Sequence, residues 1–196
     1  QFLQAQGRGA DWVALQPDAD AVYDAAMDLD LGAIEPNVAL PSSPDNVRRV
    51  RDAAGIPVDQ VLIGSCTNSS FHDLMTVAAM LRGRRAHPDV SLGVAAGSRQ
   101  VFRMIADNGA LKDLIDAGAR ILETACGFCV GFGQSPRSCA VSVRTNNRNF
   151  EGRSGTRDAK VYLTSPETAA ASALTGRLAD PRDLGMAYPE IAVPQR

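Results

Sequence analysis

The stretch VLIGSCTN at residues 61–68 joins a short apolar run to a small polar loop that contains a cysteine. The apolar run is typical of a buried strand, and the small residues from Gly64 onward cannot pack a core. Apolar residues then recur at helical spacing from Phe71 to Leu81. The pattern predicts a strand, a tight loop and a helix, which places Cys66 at the carboxyl end of a strand, where open α/β sheets hold ligands and anions.

A second cysteine pair lies in the sequence CGFC at residues 126–129. Residues 119–122 are a predicted short strand, and residues 124–133 are a glycine-rich loop. The same reasoning places Cys126 and Cys129 at the edge of the sheet that carries Cys66. We therefore expect three thiols from two distant loops to form one metal site.

Other sites are compatible with the CGFC pair taken alone. Such a pair is typical of a redox dithiol or of half a zinc site. A structural zinc ion requires four ligands, usually in two closely spaced pairs, and Cys66 has only His72 near it. His72 is more simply interpreted as a histidine on a helix surface. The fourth cysteine, Cys139, is expected to be a buried or idle thiol.

Composition limits the class of protein. A chain of 196 residues with 45% hydrophobic content can bury a substantial core. The net charge of −2 gives no reason to expect nucleic acid or an acidic membrane surface as a partner. Since there is no apolar run of about 18 residues and no positively charged leader with an apolar segment, neither a membrane span nor a signal peptide is expected. Four cysteines without a secretory signal favour metal ligands or free thiols in a cytoplasmic protein.

Strands alternate with helices along the rest of the chain. Strands are predicted at 90–96, 140–143 and 160–163, and helices at 99–108, 111–117 and 165–174. Upstream, residues 11–15 and 21–31 have strand-like character, and a helix is predicted from Ser43 to Gly55. The alternation predicts the α/β class, with a doubly wound, mostly parallel sheet flanked by helices. Residues 1–180 are predicted to form one domain, and residues 181–196 a linker-like tail toward a missing C-terminal domain.

The chain resembles the aconitase superfamily, which includes aconitase, homoaconitase and the large subunit of isopropylmalate isomerase. The resemblance covers about residues 11–181 and is to the third, cluster-binding domain of a multidomain enzyme. It is carried, in the family's order, by GSCTN at 64–68, CGFCVG at 126–131, NRNFEGR at 147–153 and SPE at 165–167. EPNVA at 35–39 and SPDNV at 43–47 resemble the segment that precedes them. Phe128 departs from the family pattern, which more often has proline between the second and third cysteines.

The resemblance implies a 4Fe-4S cluster held by Cys66, Cys126 and Cys129. Three thiolates leave one iron open as a Lewis acid that can bind a substrate hydroxyl and carboxylate. The implied activity is that of an aconitate hydratase-like hydro-lyase of the tricarboxylic acid cycle, which interconverts citrate and isocitrate through cis-aconitate. Homoaconitase and isopropylmalate isomerase are alternatives within the family. A non-catalytic iron-sensing or binding module is an alternative of another class.

The motif NRNFEGR supplies the remaining site residues that the resemblance implies. Arg148 and Arg153 would bind the carboxylates of a tricarboxylic acid substrate, because guanidinium groups hold carboxylates at two points. Asn147 would donate hydrogen bonds to the cluster sulfurs. Without the motif, two arginines in a polar loop would be interpreted as solvated surface charges.

The catalytic residues of the family lie outside this segment. The resemblance places the catalytic serine base, a further substrate arginine and a His-Asp pair in other domains, and none of them matches a residue here. We therefore expect no catalytic residue in this fragment, and no turnover by the segment alone. The expected partners are the substrate and the other domains of the parent enzyme.

Overall fold

The structure is a computed structural model in which residues 1–192 are described. The chain divides into two compact units, one of Gln1–Ile34 with Ala192 and one of Glu35–Ile191. In the first unit, the regular elements are the short helix α1 (Phe2–Ala5) and 3-10 helices at Gly9–Asp11 and Leu31–Ala33.

The strand-like segments predicted at 11–15 and 21–31 are wrong. Residues 12–30 form neither helix nor strand, and they are exposed along their whole length. Apolar side chains such as Val22, which is 95% exposed, have the composition of a strand. A strand also needs a hydrogen-bonding neighbour, and these residues have none within the described part of the chain.

A single mixed sheet organises the second unit. Within residues 1–192 its strands are β1 (Asn37–Ala39), β2 (Val47–Arg49), β3 (Gln60–Gly64), β4 (Ser91–Ala95), β5 (Arg120–Leu122), β6 (Val141–Arg144) and β7 (Lys160–Leu163). Their order is β2-β1-β7-β6-β3-β4-β5, and the five strands from β7 to β5 are parallel. Strand β1 is antiparallel to β2 and β7. The predicted α/β class with a doubly wound, mostly parallel sheet flanked by helices is confirmed.

The α-helices of the second unit differ in whether a side chain caps their first turn. They are α2 (Val50–Ala53), α3 (Phe71–Leu81), α4 (Arg99–Asp107), α5 (Ala110–Asp116) and α6 (Pro166–Thr175). Ser70 and Asp73 form a reciprocal capping box at the start of α3. Ser165 caps α6, with Pro166 in the first turn, where its missing N–H is not needed. The helices predicted after β3, β4 and β7 are therefore confirmed.

The helix predicted from Ser43 to Gly55 is wrong in its first half. In that half, a turn at residues 43–46 leads into strand β2, which pairs with β1, and the Leu40 N–H donates to the Asn46 carbonyl oxygen at 2.8 Å. The spacing of Val47 and Val50 fits a helix, but it also fits the end of an edge strand followed by a helical turn. Because branched valines favour strands, the hairpin prevails over the helical spacing.

The strand order reverses between β3 and β6. From β3 the chain proceeds outward to β4 and β5, and then returns to the other side of β3 as β6 and β7. In open α/β sheets ligands bind at the carboxyl ends of the strands at such a reversal. Cys66 follows β3 and the NRNFEGR segment follows β6, so both lie at this point of the sheet.

The two faces of the sheet are covered differently. Val61 and Ile63 belong to the main core, which includes buried residues of α3, α5 and α6. Leu62 between them faces the other side, where it packs with Ala95 and Phe128. Phe128 comes from the loop that carries Cys126 and Cys129, so that loop contributes to the smaller apolar cluster on this side of the sheet.

The predicted division at residue 180 stays a prediction. In the described part of the tail, Pro181–Leu184 form a 3-10 helix, and Arg182 makes ion pairs with Glu35 and Asp180. Residues 193–196 of the predicted tail lie outside the described part of the chain. Among residues 1–192, none of the helices has both the length and the apolar content needed to cross a membrane.

Candidate metal centre

The loop that follows β3, which we call the first loop (residues 64–70), turns sharply at its start. Gly64 has φ +106°, and a Cβ atom added there would lie 1.9 Å from the Ala95 carbonyl oxygen of β4. Ser65 also has a positive φ of 109°. Only glycine fits the first position without displacing β4. The turn leaves Cys66 exposed at the edge of the sheet.

Hydrogen bonds attach the first loop to the residues after β6. The Gly64 N–H donates to Thr145 Oγ1 at 2.8 Å, and Asn68 Nδ2 donates to the Thr145 carbonyl oxygen at 2.6 Å. Within the loop, the Ser69 hydroxyl donates to the Ser65 carbonyl oxygen. These bonds fix the backbone on both sides of Cys66 relative to the segment that begins at Thr145.

The turn after β4 packs directly against the first loop. The Gly97 N–H donates to the Ser69 carbonyl oxygen at 3.1 Å. A Cβ atom at position 97 would lie 2.6 Å from Ser69 Oγ. Glycine at this position therefore permits the close approach of the two turns.

The loop that follows β5, which we call the second loop (residues 123–134), contains a single 3-10 turn at Phe128–Val130. The turn ends at Gly131, which has φ +94° and lies against Ser135 and Ser154. Cys126 is exposed, whereas Cys129 is 5% exposed. The second loop therefore presents one thiol to solvent and buries the other.

Two of the three predicted ligands are in contact. The thiols of Cys66 and Cys126 lie close enough for each to shift the pKa of the other, although their loops follow strands that are separated by β4. The Thr67 hydroxyl, with its oxygen 3.6 Å from Cys66 Sγ, and the Cys126 thiol lower the pKa of Cys66. The same contact raises the pKa of Cys126, because a thiolate at Cys66 disfavours a second negative charge beside it.

Arg153 reaches the third predicted ligand. Its Nη2 donates to Cys129 Sγ at 3.5 Å, and its buried Nε has no hydrogen-bond partner in the described part of the chain. Arg148 and Asn147 are exposed beside each other, with Arg148 Nη1 donating to Asn147 Oδ1 at 3.4 Å. The structure thus brings Arg153 to the Cys129 thiol and leaves the side chains of Arg148 and Asn147 exposed.

Comparison with models of known protein families identifies the family of this chain. The family model described as "Aconitase family (aconitate hydratase)" matches residues 48–176, which include the three predicted cysteine ligands and residues 147–154, which we call the arginine segment. The chain belongs to the aconitase family. The predicted family is therefore confirmed.

Curated relatives in the aconitase family are similar over most of this chain. The 3-isopropylmalate dehydratase large subunit 1 of Methanopyrus kandleri is 45% identical over 179 residues, which cover 89% of this chain and 42% of the relative. The homoaconitase large subunit of Thermus thermophilus is 45% identical over 178 residues, covering 90% and 42%. The 3-isopropylmalate dehydratase large subunit 1 of Thermotoga maritima is 41% identical over 185 residues, covering 93% and 44%. The chain spans less than half the length of these relatives.

The thiols and N–H donors near the site of this aconitase-family chain are of the types that bind an iron–sulfur cluster. Within residues 1–192, no three His, Cys, Asp or Glu side chains are already gathered closely enough to hold a single metal ion. A cluster is larger than an ion, and its iron atoms take thiolate ligands. Its sulfides accept N–H hydrogen bonds, and the buried Arg153 Nε is a donor without a partner among these residues. The residues present therefore fit the cluster in ligand type and in available donors.

Two structural residues near the site were not predicted from the sequence. Arg144, at the end of β6, is fully buried and hydrogen-bonds to the second loop. Asn149 Nδ2 donates to the Leu40 and Val161 carbonyl oxygens at 2.9 and 3.2 Å, which anchors the arginine segment to the sheet. The sequence signal for Arg144 was an arginine that ends an otherwise apolar strand. The signal for Asn149 was the run of polar residues NRN.

The remaining predictions concern residues outside the site. Cys139 is not buried: it is exposed, and its thiol donates to Asp158 Oδ2 at 3.1 Å. The Asp158 carboxylate raises the pKa of Cys139, because the hydrogen bond stabilises the thiol and the negative charge disfavours a thiolate. His72 is exposed on α3, as expected.

Proposed function

We propose that this chain is the cluster-bearing part of a 4Fe-4S hydro-lyase of the aconitase family. The observation that carries the proposal is the contact of Arg153 with Cys129 in the second loop, together with the proximity of the Cys126 thiol of that loop to Cys66 at the strand-order reversal. Redox dithiols and structural zinc sites do not require a third thiol from a distant loop together with a guanidinium group.

In this proposal Cys66, Cys126 and Cys129 hold the cluster. When bound, a cluster with three thiolate ligands supplies an iron with open positions that acts as a Lewis acid toward a substrate hydroxyl. Cys66 is suited to ligation because the Thr67 hydroxyl lowers its pKa, which favours the thiolate. Arg153 lies beside Cys129, and its unpartnered Nε can donate to the cluster or to a substrate oxygen.

Arg148 and Arg153 are the proposed substrate-binding residues. Among residues 1–192, these guanidinium groups donate to Asn147 and Cys129, and neither is paired with a carboxylate. Both positive charges therefore remain for an anionic ligand, which a guanidinium group can hold at two points. Asn147, beside Arg148 on the exposed side, is proposed to hydrogen-bond the cluster sulfurs.

The proposed substrate class is that of the relatives. They are named as 3-isopropylmalate dehydratases and a homoaconitase, so these reactions are preferred to the interconversion of citrate and isocitrate. The expectation of a tricarboxylic acid cycle enzyme receives no support from these names, and we do not propose it. Each relative is named a large subunit, so we propose that the active enzyme also needs a small subunit and that the catalytic base lies outside residues 1–196.

Cluster binding is tested by anaerobic addition of iron and sulfide to the intact protein, followed by absorbance and EPR spectroscopy. The wild-type protein is expected to form a cluster. Replacement of Cys66, Cys126 or Cys129 by serine should abolish it or reduce its content strongly, whereas Cys139→Ser should leave it unchanged. A colourless protein that binds one zinc ion, or equal cluster content in all four variants, would contradict the proposal.

Substrate class is tested with the reconstituted intact enzyme and its small subunit. We expect kcat/KM for 3-isopropylmalate or for a homoaconitase substrate to exceed that for citrate by about tenfold or more, since a site shaped for one side chain excludes another. A preference for citrate would restore the aconitate hydratase interpretation.

A further inference from the structure

Arg144 is a fully buried arginine in the middle of the fold. It is the last residue of β6, one position before Thr145, which binds the first loop. Its guanidinium group is hydrogen-bonded on every nitrogen. The acceptors are Ser142 Oγ at 2.9 Å, the Phe128 carbonyl oxygen at 2.7 Å, Ser154 Oγ at 2.6 Å, Gln60 Oε1 at 3.1 Å and the Gln134 carbonyl oxygen at 3.0 Å.

Two of these bonds hold the second loop at two places. Phe128 lies between Cys126 and Cys129, and Gln134 ends the loop. Apart from one 3-10 turn the second loop has no regular structure that could fix its position. The hydrogen bonds from the Arg144 guanidinium group therefore fix the position of this loop, as hydrogen bonds from a neighbouring strand fix the position of a strand.

The same side chain reaches the other elements of the site. Ser154 follows Arg153, and Gln60 and Ser142 lie on the adjacent strands β3 and β6. Gln60 Oε1 also accepts from the Ser142 hydroxyl at 2.7 Å, and Gln60 Nε2 donates to the Gln134 carbonyl oxygen at 3.3 Å. One buried network thus joins the second loop, the arginine segment and the centre of the sheet.

The charge of Arg144 has no carboxylate partner in this network. All five acceptors are neutral carbonyl, amide or hydroxyl oxygens. Burial lowers the pKa of Arg144 to about 10, so the group remains a cation at neutral pH. A buried charge without a counter-charge is costly, and hydrogen bonding to the Phe128 carbonyl oxygen places this charge next to Cys129, the following residue.

We propose that Arg144 is a positioning residue that anchors the second loop to the sheet and supplies a buried positive charge beside the thiolate ligands. The charge part of this inference rests on the proposed function, because it needs anionic ligands at Cys129. The anchoring part does not, because it follows from the hydrogen bonds of the protein alone. The two parts can therefore be tested separately.

Anchoring is tested by hydrogen exchange in the metal-free intact protein. Arg144→Met keeps a long apolar side chain but removes every donor. Amide exchange in residues 126–134 should accelerate by about tenfold or more, while exchange in α3 and α6 stays close to wild type. The matched control is Arg137→Met, since Arg137 lies close by in the sequence but is exposed and pairs with Asp59 at 2.5 Å. Equal loop exchange in Arg144→Met and wild type would overturn the anchoring.

A milder variant keeps the test valid if Arg144→Met does not fold. Ser154→Ala removes one acceptor, 2.6 Å from Arg144 Nη1, and leaves the charge in place. It should accelerate exchange in residues 126–134 less than Arg144→Met, by a few-fold, because four of the five bonds remain. No acceleration at all in this folded variant would count against the network as the anchor of the loop.

The charge is tested by the reduction potential of the reconstituted cluster, measured by EPR-monitored titration. A nearby positive charge stabilises the reduced, more negative cluster, so Arg144→Met should lower the potential. Arg144→Lys keeps the charge with fewer donors and should restore the potential toward wild type while the loop still exchanges faster. Equal potentials in all three proteins would overturn the charge part. If the wild-type protein binds no cluster, the proposed function fails, and hydrogen exchange still decides the anchoring.

Discussion

The two cysteine loops lie at the same edge of the sheet but are held there by different means. The first loop is fixed by its tight turn, with positive φ angles at Gly64 and Ser65, and by hydrogen bonds from the Gly64 N–H and the Asn68 side chain to Thr145. The second loop has little regular structure and is fixed by side chains, with Phe128 in the apolar layer under it and Arg144 bonded to its carbonyl oxygens.

This difference determines how each loop responds to change. A loop held by a tight turn tolerates little alteration of the residues that form the turn, because a Cβ atom added at Gly64 meets the neighbouring strand. A loop held by side chains can loosen while the sheet below it remains folded. We therefore expect substitutions in the first loop to act through the stability of the whole unit, and substitutions around the second loop to expose Cys129 locally in addition to any loss of stability.

The largest expected effect is that of Gly64→Ala. The new Cβ atom would meet the Ala95 carbonyl oxygen at 1.9 Å, and alanine would have to adopt φ +106°. Overpacking and backbone strain together should lower the free energy of unfolding by about 4 kcal/mol, measured by urea denaturation. Gly83→Ala is the control, because Gly83 has φ +70° but nothing within 4 Å of an added Cβ. A loss at Gly64 no larger than at Gly83 would show that the turn is not constrained by β4.

Phe128→Ala should have a smaller effect on stability and a local effect on the second loop. Removing a side chain that is 3% exposed and packed on Leu62 and Ala95 should cost about 3 kcal/mol. The buried Cys129 thiol should then react faster with an alkylating reagent, while Cys66 reacts as in wild type. Phe132→Ala, at a position that is 78% exposed in the same loop, should change stability by less than about 0.5 kcal/mol. Equal acceleration at Cys66 and Cys129 would contradict separate attachment of the two loops.

Thr145→Val tests the bond between the first loop and the segment after β6. The change removes the acceptor of the Gly64 N–H and leaves a buried donor without a partner, which should cost about 2 kcal/mol. Thr164→Val is the matched control, since the buried Thr164 Oγ1 makes no hydrogen bond in the described part of the chain. That variant should be neutral or slightly stabilising. A larger loss of unfolding free energy in Thr164→Val than in Thr145→Val would show that the hydrogen bond to Thr145 does not stabilise the first loop.

The smallest expected effect lies outside both loops, at Cys139. The hydrogen bond to Asp158 raises the pKa of this thiol, so its alkylation should need a higher pH than that of an ordinary cysteine. Asp158→Asn removes the negative charge and should shift the pH dependence of Cys139 alkylation to lower pH. Mass spectrometry of the labelled peptide gives the rate at each pH. An unshifted profile in Asp158→Asn would contradict the assigned cause, and a parallel shift at Cys66 would show that the loops are not independent of this site.

The structural elements that could be predicted from the sequence are those that depend on residues close together along the chain. The strand, turn and capped helix around Cys66 lie within about twenty consecutive residues, and their spacing predicted them correctly. Arg144 was not predicted, because its partners lie from 2 to 84 positions away and only the fold brings them together. The same reason explains the error at β2, where pairing with β1 prevailed over a spacing that also fits a helix.

The contact between the first and second loops is the feature on which the proposed cluster site most directly depends. It can be measured in the metal-free intact protein with a short bifunctional thiol reagent, followed by mass spectrometry of the linked peptides. The account predicts that Cys66 is linked to Cys126 as the main product, and that Cys139 is linked to neither. A link confined to Cys126 and Cys129, with Cys66 modified only singly, would contradict it.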